Sequence, residues 1–88
     1  MTIDLIKSLL TDALTPEKLE LADNSHAHAG HAGTQQGGGH YHVNIVASIF
    51  EGKSLVQRHQ LIYKALGDLM KHEIHALGID AHSPSELH

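Results

Sequence analysis

Residues 54–79 read SLVQRHQLIYKALGDLMKHEIHALGI, and a change of period inside this stretch decides the fold. Leu55, His59, Ile62, Leu66 and Leu69 or Met70 recur at spacings of three and four, which places them on one face of a helix. Ser54 suits the N-cap, and Gly52 before it suits a turn. The pattern predicts a helix from Ser54 to about His72. Beyond it, His75, Leu77 and Ile79 alternate with Ala76, Gly78 and Asp80, which is the period of a strand. A buried helix therefore runs almost directly into a strand. His75 stands at the junction and is expected to hold one edge of its ring against the core.

Upstream, Thr2 can cap a first helix running to about Ala13 or Leu14, with Ile3, Ile6, Leu10 and Leu14 as its apolar stripe. Asp4 lies in the first turn, where the helix dipole favours an anion. Pro16 cannot continue the helix. Lys18 to Asp23 alternates Leu19 and Leu21 with Lys18, Glu20 and Ala22 and reads as a first strand. Residues 24–39, NSHAHAGHAGTQQGGG, hold five glycines, three histidines and no large apolar side chain. Such a segment buries too little surface to offset its ordering entropy, so it is expected to be a mobile loop. A loop this long in so small a domain is more often functional than idle. His40 to Ala47 reads as a second strand, with Tyr41, Val43, Ile45 and Ala47 on one face and His42, Asn44 and Val46 on the other.

A loop between the first two strands favours an antiparallel pair. The second and third strands are joined through the long helix, so they should be parallel with a right-handed crossover. At the C-terminal end Ser83, Pro84 and Glu86 match an N-cap, a first helical position and a capping-box position, which predicts a last helical turn or two. The expected fold is α+β: a single domain over residues 1–88 in the order αββαβ(α), with helices on one face of a mixed three-stranded sheet.

Composition narrows function. The chain carries six basic and ten acidic residues, a formal charge of −4, which opposes non-specific attraction to nucleic acid or anionic lipid. With three aromatics the core must be aliphatic, and with no cysteine the chain supplies no disulfide, thiolate ligand or thiol nucleophile. Apolar runs fall far short of a membrane span and no signal-peptide core is seen, so a soluble cytoplasmic domain is expected. No nucleophile elbow, phosphate-binding loop or acid/base pair stands out, and the chain is expected not to be an enzyme.

Ten histidines are the compositional anomaly. His26, His28 and His31 follow the spacing His-x-His-x-x-His on the loop, and neutral imidazoles suit zinc, copper, iron and nickel. A polar, solvated loop explains the same residues. His59, on the apolar stripe, reads as a packed histidine, and Arg58 as a solvent-exposed helix residue whose planar fork could pair with carboxylate or phosphate.

Three stretches, LELADNSHAHAGH (19–31), HYHVNIVASIFEGKSLVQRHQLIYKAL (40–66) and IHALGIDAHSP (74–84), resemble the BolA/YrbA family along almost the whole chain. Phe50-Glu51-Gly52 with Leu55 to His59 is similar to its helix signature, and Ile74-His75-Ala76-Leu77 to its strand signature. The resemblance implies a fold similar to class II KH domains. It also implies a partner, a monothiol glutaredoxin with a CGFS motif, with which a [2Fe–2S] cluster is shared. The glutaredoxin side supplies its cysteine and a glutathione thiol. On this side the resemblance implies His75 as one ligand and a loop histidine as the other: His28 first, then His26 or His31. It implies a rival role too, a KH-like nucleic-acid-binding transcriptional regulator using Lys53, Arg58 and His59. Here the helix signature reads Arg58-His59-Gln60 where the family usually has Arg-His-Arg, and no Gly-x-x-Gly clamp is present. A histidine-rich carrier of divalent metal is the third reading. DNA and a second copy of the chain are further candidate partners.

Overall fold

A computed structural model of the chain describes residues 2–24 and 39–87. Helix α1 spans Thr2–Leu14, strand β1 Lys18–Asp23, strand β2 Gly39–Val46, helix α2 Leu55–Leu66 and strand β3 Ile74–His82. Three 3-10 segments, Ser48–Phe50, Gly67–Lys71 and Pro84–Leu87, fill the connections and the C-terminal end. The segment read as a mobile loop falls mostly on residues 25–38, which lie outside the described residues, as do His26, His28 and His31.

The sheet has the order β1-β2-β3. β1 pairs antiparallel with β2, and β2 pairs parallel with β3 across the α2 crossover. Register sorts the side chains. Leu19, Ile45 and Ala81 lie in one row, and Leu21, Val43 and Ile79 in the next. These inner rows join Ile6, Leu10 and Leu14 of α1, and Ile62 and Leu66 of α2, in one core that also takes in Tyr41, Phe50, Leu69 and Ile74. The alternate rows, Glu20–Asn44–Asp80 and Ala22–His42–Gly78, face away from the helices. The result is an α+β domain with both helices on one face of a mixed sheet.

Local chemistry accounts for the ends of the elements. Ser54 forms a capping box: its hydroxyl accepts from the Gln57 N–H at 3.2 Å, and its own N–H donates to Gln57 Oε1 at 2.9 Å. The α-helix ends earlier than the apolar spacing predicts. Gly67 takes φ +53, a region glycine enters without steric cost, and the chain continues to Lys71 as 3-10 turns. At the end of α1, Thr15 takes φ +46 and donates its N–H to Thr11 O, and Pro16 prevents continuation.

The buried face of α2 also differs from the expected one. Leu55 is 64% exposed, and the buried positions are Arg58, Ile62 and Leu66. The stripe is rotated because Arg58, read as a solvent residue, turns inward at 5% exposure. Its Nη1 and Nη2 grip the Glu86 carboxylate at 2.6 and 3.1 Å. Nη1 also donates to Ala81 O and Nε to Lys53 O, each at 3.0 Å. Its guanidinium carbon lies 5.9 Å from the Phe50 ring centre. Each guanidinium nitrogen finds an acceptor within the fold, which lets so buried a charge persist.

Candidate metal-ligand site

The open face of the sheet carries the candidate site. β2 and β3 pair regularly from His40–Ala76 to Val46–His82, but Gly39 pairs with Ile74. His75 is therefore the extra residue of a β-bulge. A bulge puts two consecutive residues opposite one and re-aims their side chains. Ile74 turns into the core at 3% exposure, while His75 is exposed. The expectation that the core would hold one edge of the His75 ring is thus corrected: strict alternation is broken at this residue. Its ring instead lies against His40, with ring centres 5.0 Å apart and planes tilted by 36°.

Both backbones are held. Gly39 N–H donates to Glu73 O at 2.8 Å just before the bulge, and Asn24 N–H donates to His40 O at 2.7 Å. That second bond ties the end of β1 to the start of β2. Two residues along β2, the His42 ring lies over Gly78. A Cβ at Gly78 would stand 2.5 Å from His42 Nδ1, so this packing needs a glycine there. The other ring nitrogen, Nε2, sits 2.8 Å from Asp80 Oδ2 and donates to it when protonated. His42 is thereby held by Asp80, and the His40 and His75 rings lie against each other.

Among the described residues no group of three or more His, Asp or Glu side chains gathers at one point. The structure places His75 beside His40, which the sequence reading did not single out. The signal was available: His40 and His42 have the same parity on β2. What could not be read was the bulge that moves His75 to that side.

The residues of the nucleic-acid reading are not assembled. Arg58 is buried against Glu86 and contributes no fork to a phosphate. His59 is half-buried, with its ring edge-on to Tyr63 at 6.3 Å. Lys53 lines a shallow groove along α2 with Gln57, Gln60, Leu61 and Lys64.

A second polar cluster closes the C-terminal end. Glu86 accepts from the Ser83 N–H at 2.8 Å as well as from Arg58, so the guanidinium and that backbone bond hold its carboxyl down to about 2. Ser85 donates its hydroxyl to Glu51 Oε1 at 2.7 Å and its N–H to Glu51 Oε2 at 3.1 Å, which lowers the Glu51 pKa. These bonds tie the last turn to α2 and to the turn before it.

A three-stranded mixed sheet under two helices, with a histidine at a β-bulge on its open face, defines a small α+β domain that presents imidazole from a rigid strand. The BolA family model, described as BolA-like protein, matches residues 10–86, and the chain belongs to this family. SufE-like protein 1, chloroplastic/mitochondrial, from Arabidopsis thaliana is 44% identical over 87 residues, covering 93% of this chain and 24% of that protein. BolA-like protein 1 from Mus musculus is 42% identical over 81 residues, covering 92% of this chain and 57% of the relative. The chain thus spans about a quarter and somewhat over half of the lengths of these relatives. The solved BolA domain of SufE1 from Arabidopsis thaliana superposes with a TM-score of 0.80 at 44% identity, covering 94% of this chain and 92% of that one. Among the described residues no helix is long and apolar enough to cross a membrane.

Proposed function

We propose that this chain is the histidine-bearing partner of a monothiol CGFS glutaredoxin, and that the pair holds a [2Fe–2S] cluster as cargo in iron–sulfur trafficking or iron homeostasis. The observation that supports this reading most is His75: exposed, lifted out of the strand ladder by a bulge, and fixed on a sheet in a chain without cysteine. Four ligands are needed for a cluster, and this chain offers imidazole only. A thiolate-bearing partner with glutathione would supply what is missing. Imidazole in place of thiolate raises a cluster's reduction potential. In this reading a loop histidine, His28 first and then His26 or His31, joins His75. The relation to iron–sulfur chemistry has outside support in the SufE-like relative, which contains a BolA domain. The chain acts as a carrier and not as an enzyme, and its setting is the cytoplasm; the organelle terms in the plant relative's name belong to that protein.

The nucleic-acid reading has less behind it. Arg58 is spent inside the fold, and the net charge is −4. The test is reconstitution of the chain with a CGFS glutaredoxin, glutathione, iron and sulfide, followed by visible absorption and circular dichroism. A spectrum distinct from that of the glutaredoxin alone supports the reading. A salt-dependent shift with DNA, and no distinct spectrum, would favour the regulator instead.

A further inference from the structure

Helix α2 carries no carboxylate. Between Glu51 and Asp68 the chain holds Lys53, Arg58, His59 and Lys64 and no Asp or Glu, although its net charge is −4. Arg58 is turned inward onto Glu86. Lys53 and Lys64 stay outside. Among the described residues neither ammonium has a carboxylate within reach, whereas Lys18 stands 4.0 Å from Glu20 and Lys71 3.8 Å from Asp68. The two acids that bracket the helix are turned to other partners, Glu51 to Ser85 and Asp68 to Lys71. Lys53 and Lys64 stand at the two ends of a groove of about 320 Å³, with Gln57, Gln60 and half-buried Leu61 between them. Their separation along the chain corresponds to about 16 Å at the helical rise. In the adjoining row of the same helix Val56 is 66% exposed and Tyr63 41%.

Exposed apolar groups between two unpaired ammonium ions match a peptide that carries apolar anchors and a carboxylate towards each end. A nucleic acid matches poorly. Two lysines would give a slope of only about −2 in log K against log salt, and phosphates would leave Val56 and Leu61 without an apolar partner. We propose that the α2 groove docks an acidic segment of a partner protein, about three helical turns long. Its apolar side chains rest on Val56 and Leu61, and its carboxylates meet Lys53 and Lys64. The groove lies on the helix side of the domain, opposite the open face of the sheet. The proposal therefore stands apart from the function proposed above.

The isotope-labelled full chain is titrated, in NMR, with a synthetic peptide of about 12 residues built from Glu, Leu and Ala, with one acidic and one apolar face. The same peptide with glutamine for every glutamate is the comparison. The side-chain amides of Gln57 and Gln60 and the backbone amide of Leu61 should shift first, with those of β2 unmoved. Binding should weaken as salt rises. Lys53→Gln together with Lys64→Gln should lower affinity about three- to tenfold, the scale of two exposed ion pairs. Gln60→Glu, which sets a carboxylate in the groove, should weaken binding too. Lys7→Gln together with Lys18→Gln removes the same charge elsewhere and should bind as wild type does. Circular dichroism verifies each fold. The proposal is overturned if the acidic peptide at millimolar concentration moves no α2 signal, or if the glutamine peptide binds equally well. It is also overturned if the Lys7 and Lys18 variant loses as much affinity as the groove variant. Duplex DNA that shifts the same signals more tightly than the peptide would make the groove a nucleic-acid site. Shifts that grow with concentration in the chain alone, and vanish in the groove variant, would give it to a second copy; either result also overturns the proposal.

Discussion

Arg58 and Glu86 show how one ion pair sets both a packing arrangement and a pH response. Arg58 is the chain's lone arginine among ten acidic residues and is drawn inside, where it bonds Glu86 in a two-pronged grip and two backbone carbonyls besides. The Glu86 carboxyl is held down to about 2 from an ordinary 4.5. A depressed carboxylate stabilises the fold fully above its unfolded pKa and loses that contribution as pH falls through the folded one. Glu86 should therefore give an acid limb between about pH 4.5 and about pH 2. Glu86→Gln should flatten that limb in urea titrations repeated across this range, the smaller contribution of Glu51 remaining. An unchanged acid limb would show that the pair does not govern acid stability. His75 behaves oppositely. It is exposed, so His75→Ala should leave the unfolding free energy within about 0.5 kcal/mol of wild type.

At the scale of elements, α2 and β3 show what the pattern of residues can and cannot tell. Ile62 and Leu66 were legible as core because three apolar spacings agree on them. Ile62→Ala should cost about 2–5 kcal/mol, while Leu55→Ala, at 64% exposure, should be nearly silent in the same urea titrations. Equal losses for the two would show that the helix face is misassigned. Leu55 was misread because hydropathy assigns Arg58 to solvent, and only Glu86, 28 residues away, reveals why it is not. The strand order, the antiparallel and parallel pairings and the Ser54 cap were all legible, since each depends on local period or on chain connectivity. The bulge at His75 was not. It depends on how Gly39 meets Ile74 across the sheet, which no local alternation encodes. Gly78 is similar: its need for a small residue comes from the His42 ring above it. Gly78→Val should displace that ring and break the His42–Asp80 contact, seen as a shift of the His42 ring signals in NMR, with the His40 and His75 signals unmoved.

For the whole molecule, architecture separates stability from function. The core lies between the helices and the inner sheet face, the polar cluster of Arg58, Glu86, Glu51 and Ser85 closes the C-terminal end, and His40, His42 and His75 sit on the open face. Side chains on that face can be changed without touching the core. That makes a clean ligand experiment feasible. The chain is mixed with a CGFS glutaredoxin, glutathione, iron and sulfide, and the visible circular dichroism of wild type is compared with that of His75→Ala at matched protein concentration. A spectrum characteristic of histidine ligation in the wild-type mixture, and its loss in His75→Ala with the fold intact, is the predicted result. The same spectrum and the same cluster lifetime in both mixtures would contradict a cluster held through His75.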